Sequence, residues 1–371
     1  MKVQEILTNR GYRFIVLDDD YNVVLPVKSF LKFLDNNDKK ENTLKNYAAH
    51  LKQFCEYAAL IHMDLLAINS SENYNAISVL SGFIFWLRYG VIEDDNIIVT
   101  SQIRSNVTVK IILDVVIEFY EYLASKGELK ELEIYRKQRL NNQFKGLLFE
   151  MKTNQKQRTD IFNLHTEKKP PKSITREQYN ELIKACNNLR DKIIIAFMFE
   201  GGTRIGETLG TQIQDLEARS NKVYICDRRN NPNRVFVKDN SVGSFILPNY
   251  VFKWLQEYIL NDISDFDSNY LFLNLYKGAI GEPMREGSIS DLFVRLSKKV
   301  GYHVNPHMCR SGFATERSLA GWDIKMIQNA LRHKQIKTTA IYIDVLSEVE
   351  MDKTVEFYKT KGIEIGGIYG C

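Results

Sequence analysis

Two arginines, two histidines and a tyrosine stand in three separated stretches of the chain, and together they could break a phosphodiester. Arg204 follows the pair Gly201 and Gly202 and precedes Glu207 in the run EGGTRIGE. His307 and Arg310 sit three residues apart in HMCRSGFAT, and His333 lies nine residues before Tyr342 in LRHKQIKTTAIY. Taken singly, each stretch has a plainer reading: an ion pair at a helix start, a surface helix face, a tyrosine packed in a core. Taken together they cover the needs of the reaction, which are a nucleophile, neutralisation of the phosphoryl oxygens and a route for the proton. Arg204 and Arg310 can each present a planar fork of donors to two oxygens, a fit that lysine lacks. Residues three apart on a helix share a face, so His307 and Arg310 can reach one phosphate. His333 supplies a further donor to oxygens that gain charge in the transition state, and such preorganised donors are worth about 2.7–4 kcal/mol each in other enzymes.

Tyr342 is a weak nucleophile while protonated, with an ordinary pKa of about 10. A guanidinium cluster favours its phenolate, and His307 is the candidate general base. Attack on phosphorus would leave a phosphotyrosine and a free hydroxyl. The bond energy stays in the phosphotyrosine, so rejoining is expected to need no cofactor, no ATP and no metal. The sequence has no Walker motif, which agrees. Glu207, three residues after Arg204, is read as an orienter of that arginine and not as a base.

The order and spacing of these motifs resemble the tyrosine recombinase, or phage integrase, family, mobile-element integrases and transposases included. The resemblance runs over residues 29–350 and is strongest in the three stretches quoted. It implies that Arg204, His307, Arg310, His333 and Tyr342 are catalytic, and that a lysine in the turn of a β-hairpin between the first two motifs is the general acid. Lys238, between RVFV and SFILP, is the best match, with Lys222 and Arg234 as competitors. The chain departs from the pattern at three places: Ser311 stands where the family often has His, Arg332 where a Gly commonly precedes the third-motif His, and Asp239, Asn240 and Ser241 fill the hairpin. The implied function is site-specific recombination of double-stranded DNA, integration or excision of a mobile element, by a tetramer assembled on paired sites. A DNA-binding protein with a silenced site and a type IB topoisomerase are the rival classes. The full set of candidate residues speaks against the first, and the amino-terminal helical segment speaks against the second.

The elements that must position these residues follow from periodicity. From Asn42, read as an N-cap, Leu44, Tyr47, Leu51, Phe54 and Ala58 recur at helical steps, while Lys45 and Lys52 lie opposite and, with Thr43, are candidate DNA contacts. The apolar stretch from Ala76 to Leu87 reads as a buried helix. A further helix from about 107 carries Val109, Ile112, Val116, Phe119 and Leu123 on one face and ends at Lys126 and Gly127. Ahead of these, residues 12–27 read as two strands around an acidic turn, the second ended by Pro26. Pro170 and Pro171 mark an extended boundary, after which Thr175 reads as the N-cap of a new helix. Between about 221 and 248 the pattern turns strand-like: KVYICD, a turn at RRNNPN, then RVFVKDNSVGSFILP.

A chain of 371 residues exceeds what one core usually spans, so two domains are expected. The expected fold class is mainly α with a small antiparallel β-sheet, a two-domain clamp of a helical core-binding domain and an integrase-type catalytic domain. The expected boundaries are an arm at 1–28, the core-binding domain at 29–150, a basic linker at 151–172, the catalytic domain at 173–350 and a docking tail at 351–371. Net charge is only +4, but between Lys130 and Lys172 eleven Lys and Arg face five acids. That surplus suits a strap along a phosphate backbone, with Lys168, Lys169 and Lys172 as candidate contacts. Hydrophobic residues at 44% and charged residues at 26% are ordinary globular values. Five scattered cysteines outside CxxC spacing give no metal-site signal and fit a reducing compartment. Neither a signal peptide nor a membrane span is read in the chain, so the expectation is a cytoplasmic protein without a membrane partner.

Overall fold

The computed structural model describes residues 1–70, 74–92, 101–130, 132, 162, 164–165, 171–228, 231–238, 241–276, 278–335 and 339. The chain divides into two compact units, Met1–Glu167 and Lys168–Cys371. Among the described residues no helix is long and apolar enough to cross a membrane.

The first unit opens with an antiparallel hairpin, β1 (Lys2–Thr8) and β2 (Gly11–Leu17), in the register Lys2 opposite Leu17. Phe14 and Val16 turn inward and join the helical core, so residues 1–28 pack with the helices that follow. The strands expected over 12–27 are therefore displaced. Asp18 accepts the backbone N–H groups of Asp20 and Asn22 and closes the acidic turn. Pro26 opens helix α1 (Leu25–Asn36) instead of ending a strand, because its fixed φ and missing N–H suit a first helical turn. Helix α2 (Glu41–Leu60) begins one residue before Asn42, with Lys40 at the N-cap. Its Leu44, Leu51, Phe54 and Ala58 are buried as the spacing required. Helix α3 (Ala76–Tyr89) is capped by the Asn75 side chain and ended by Gly90 at φ +77. Helix α4 (Asn106–Ser125) is capped by Ser105 and buries Val109, Ile112, Val116, Phe119 and Leu123. Edge-to-face contacts of Phe54 with Phe83 and Tyr120 join α2, α3 and α4 at the centre of this core.

In the second unit, Thr175 caps α5 (Arg176–Ala185) through a reciprocal bond with Gln178. Helix α6 (Leu189–Glu200) is buried almost all round and is the axis of the unit. The short α7 (Ile205–Leu209) precedes a sheet of β3 (Leu216–Glu217), β4 (Lys222–Ile225) and β5 (Gly243–Ile246), antiparallel in that order. Helices α8 (Asn249–Tyr258), α9 (Glu286–Val300), α10 (Pro306–Leu319) and α11 (Ile324–Ala330) complete it. The expected RVFV strand does not form. Val235 and Val237 alternate inward as a strand would, but this backbone is met by side chains: Asn231 Nδ2 donates to the Val235 carbonyl at 2.6 Å. Asn233 Nδ2 ties the same loop to the carbonyls of Leu209 and Met284. Strand β5 pairs instead with β4, Val223 opposite Phe245.

Candidate active site

Helix α6 ends at Glu200 with Gly201 as its C-cap, and the chain must turn sharply to start α7. Gly202 makes the turn at φ +58, and a Cβ there would press on the Phe313 ring and Leu331. The turn sets Arg204 at the N-cap of α7 in extended conformation. Glu207, at the third helical position, accepts the Arg204 backbone N–H at 3.0 Å and pairs through its other oxygen with the Arg204 guanidinium. One carboxylate thus fixes both the helix start and the arginine that begins it.

Helix α10 brings the second pair. Asn305 caps it and Pro306 occupies its first turn, which sets His307 at the solvent side and buries Arg310 to 2% exposure. The Arg310 fork donates to the Gly202 carbonyl and, at 2.6 Å, to the Leu331 carbonyl. It also approaches Glu207 Oε2 at 3.5 Å. Arg332 comes to the same oxygen from the turn after α11, Nη2 to Oε2 at 2.9 Å. His333 is half-buried beside it, held by its N–H to the Gln328 carbonyl and by Nδ1 against the Thr339 hydroxyl at 2.9 Å.

The electrostatics follow from this geometry. Glu207 is 1% exposed, and burial pushes its carboxyl up. The charges of Arg332, Arg310 and Arg204 and the Arg204 N–H outweigh that and hold it below the usual carboxylate range. Partial desolvation, then Arg310 and Arg204, holds the His307 ring below the usual imidazole range. Desolvation and the same two arginines, with Arg332, push His333 down to about 3 against the opposing pull of Glu207. Both rings are therefore neutral at physiological pH. His307 can accept a proton, and His333 can present one N–H without bringing a charge. Among the described residues one carboxylate is surrounded by three guanidiniums, and this excess of positive charge, with Arg204 partly open to solvent at 25% exposure, is suited to a phosphate.

Arg204, Glu207, His307, Arg310 and His333 come together. Lys238 is exposed in the connection between β4 and β5, its carbonyl accepting the Ser241 N–H and hydroxyl. That connection is held close to Arg204: a Cβ on Gly206 would lie 2.6 Å from the Phe236 carbonyl oxygen, so glycine is what lets the loop cross α7 there. Lys222 begins β4 with Nζ 4.9 Å over the Tyr224 ring, and Arg234 is an exposed turn residue at φ +59. Tyr342 lies outside the described residues, as do Lys168 and Lys169. Lys172 and Lys45 are exposed, Thr43 is half-buried on α2, and Lys52 pairs with Glu56 at 3.0 Å. Sequence reasoning gave no role to Arg332 or Thr339. A bulky residue at a position suited to glycine, directly before His333, was the available signal for the first. The second carried none, since a threonine six residues past a histidine is unremarked until the turn folds.

The model of the phage integrase family matches residues 172–348. Transposase A from transposon Tn554 of Staphylococcus aureus is 31% identical over 364 residues, covering 96% of this chain and 98% of the relative. The chain belongs to the phage integrase family and is a tyrosine site-specific recombinase. Tyrosine recombinase XerA of Pyrococcus horikoshii is 27% identical over 191 residues, 50% of this chain and 63% of the relative. In fold, the chain is similar to the Tn1549 transposon integrase in complex with a circular intermediate DNA, at TM-score 0.60 and 17% identity over 89% of this chain and 99% of that one. It is similar also to the XerH recombinase bound to a palindromic difH substrate, at TM-score 0.58 and 14% identity over 90% and 84% of the two chains.

Proposed function

We propose that this recombinase integrates and excises a mobile element, cutting and rejoining duplex DNA at two sites held together by four copies of the chain. Full-length similarity to a transposon's transposase supports the biological role, and a transposon integrase and a recombinase of like fold are both bound to DNA. The observation that carries the chemistry is the trio of guanidiniums on Glu207, flanked by two neutral histidines. Arg204 and Arg310 neutralise the scissile phosphate, and His333 donates to the same oxygens. His307 takes the proton from Tyr342, whose oxygen attacks phosphorus. The P–O5′ bond breaks, Lys238 gives its proton to the leaving 5′ oxygen, and the 3′ end stays on the tyrosine. A 5′-hydroxyl from the partner site then reverses these steps and releases the enzyme. Residues 29–150 grip the duplex through Thr43, Lys45 and Lys52, and Lys168, Lys169 and Lys172 follow its backbone. Phosphate contacts of this kind position a protein and carry little base information. The reaction takes place in the cytoplasm, where the element's DNA lies.

The test is recovery of the DNA that the protein holds covalently in cells carrying a candidate element, followed by recombination of the recovered sites in vitro. Element ends joined to new flanking DNA are the expected product. Relaxation of supercoiled plasmid by the purified monomer, without joining of two sites, would instead assign the chain to topoisomerase chemistry.

A further inference from the structure

Arg332 occupies a backbone position that a side chain rarely takes. Its φ is +56, in the left-handed region where glycine is the usual residue. The residue is nevertheless an arginine, and only 8% of it is exposed. Its guanidinium makes contacts in three directions. Nη2 donates to Glu207 Oε2 at 2.9 Å and to the Gly202 carbonyl at 3.2 Å, and Nη1 donates to the Ala330 carbonyl at 2.9 Å. Its stem lies on the start of β5, where a Cβ on Gly243 would stand 3.1 Å from the Arg332 Cδ. The Phe245 ring, 5.9 Å from the guanidinium carbon, covers one face. One side chain therefore ties together the turn that carries His333, the carboxylate that holds Arg204, the Gly202 carbonyl shared with Arg310, and the strand that follows the Lys238 loop.

We propose that Arg332 is a positioning residue of the recombination site: it locks Glu207 and the Gly202 turn so that Arg204, Arg310 and His333 converge on one phosphate. This inference rests on the reading of that cluster as the phosphate site. Two of the acceptors that Arg332 holds are also held by Arg310, namely Glu207 Oε2 and the Gly202 carbonyl. Without Arg332 the carboxylate has two guanidiniums to satisfy instead of three, and its link to the His333 turn runs through Arg310, which reaches the Leu331 carbonyl. The guanidinium also adds a charge beside the ring. The groups facing His333 are Arg310, Arg204, Glu207 and Arg332, with Thr339 on Nδ1, and among them only Glu207 favours the protonated ring. Desolvation, Arg310 and Arg204 do most to keep His333 a neutral donor, and Arg332 adds a smaller push in the same direction while fixing where its turn sits.

Two variants separate geometry from charge. Arg332→Gly suits the left-handed backbone and removes the guanidinium; Arg332→Lys keeps the charge and loses the fork. Single-turnover cleavage of a nicked suicide site at saturating DNA is measured beside DNA affinity, thermal unfolding, and an NMR pH titration of the His333 ring, assigned by its loss in His333→Gln. For Arg332→Gly, cleavage is expected to fall on the order of 10–100-fold, as for other small displacements of reacting groups. DNA affinity stays near wild type, and the His333 titration moves to higher pH. For Arg332→Lys, cleavage is again slow while the ring titrates near its wild-type position. Wild-type cleavage by Arg332→Gly, or an unmoved His333 titration in that variant, overturns the proposal. Absence of a covalent adduct with the wild-type protein would sink the functional reading instead, and the titration would still decide the role of Arg332.

Discussion

The imidazole of His333 and the hydroxyl of Thr339 meet through Nδ1 at 2.9 Å, with Thr339 itself 1% exposed. With the hydroxyl as donor to Nδ1, the proton of the neutral ring sits on Nε2, the nitrogen left for a phosphate; with Nδ1 as donor, Nε2 would be bare. Thr339→Val preserves the shape and deletes that donor. The hydrogen bond is worth about 1 kcal/mol, which corresponds to a slowing of cleavage by roughly fivefold or more. Single-turnover kinetics on a suicide site check this, and wild-type rates would show that the hydroxyl does not set the tautomer.

Glu207→Gln should destabilise the second unit. The variant leaves three guanidiniums around a neutral amide, and removing one partner from a buried ion pair costs about 3–5 kcal/mol. Because the Glu207 carboxyl is held below its ordinary range, its contribution is present above the unfolded pKa of about 4.3 and lost as pH falls through the folded value. Urea denaturation of both proteins across pH should therefore show a gap that is full near neutrality and narrows in acid.

The histidines predict a second, higher window. His333 is pushed down to about 3 in the folded protein, whereas an unfolded histidine titrates at about 6.5. Between those values the unfolded chain binds the proton and the folded chain does not, so stability falls as pH drops from about 6.5. His333→Gln should flatten that part of the stability curve. An unchanged slope would mean that the ring is not shielded as the geometry indicates.

Arg310→Lys keeps the charge and should still abolish most cleavage. The Arg310 fork spans the Gly202 and Leu331 carbonyls from one planar group, and a lysine cannot hold both while facing a phosphate. Arg204→Lys should act alike, since its guanidinium is paired with Glu207 while the same residue caps α7. Either variant recombining near the wild-type rate would make its arginine a structural ion-pair residue only.

Much of this was legible in residue spacing. The apolar steps of α2 and α4 placed their cores correctly, because a stripe at three and four residues has one way to be buried. Arg204, His307, Arg310 and His333 were legible as a set because only their order and types were needed. The RVFV strand was misread because alternating valines bury alike whether or not the backbone pairs, and here Asn231 and Asn233 satisfy the loop. Pro26 was misread as a strand end because proline marks a helix start equally well. Arg332 could be seen as odd, yet its purpose needed the fold, since Glu207 lies 125 residues away in the chain.

Tyr342 is the proposed nucleophile of this phosphate site. A nicked suicide substrate releases a short 5′ end on cleavage and traps the enzyme on DNA, so a protein–DNA adduct that survives denaturant reports the attack directly. The wild-type protein should form that adduct, and Tyr342→Phe should form none while binding the site nearly as well. An adduct of equal yield in Tyr342→Phe would contradict the account, because the bond to DNA would then run through another residue.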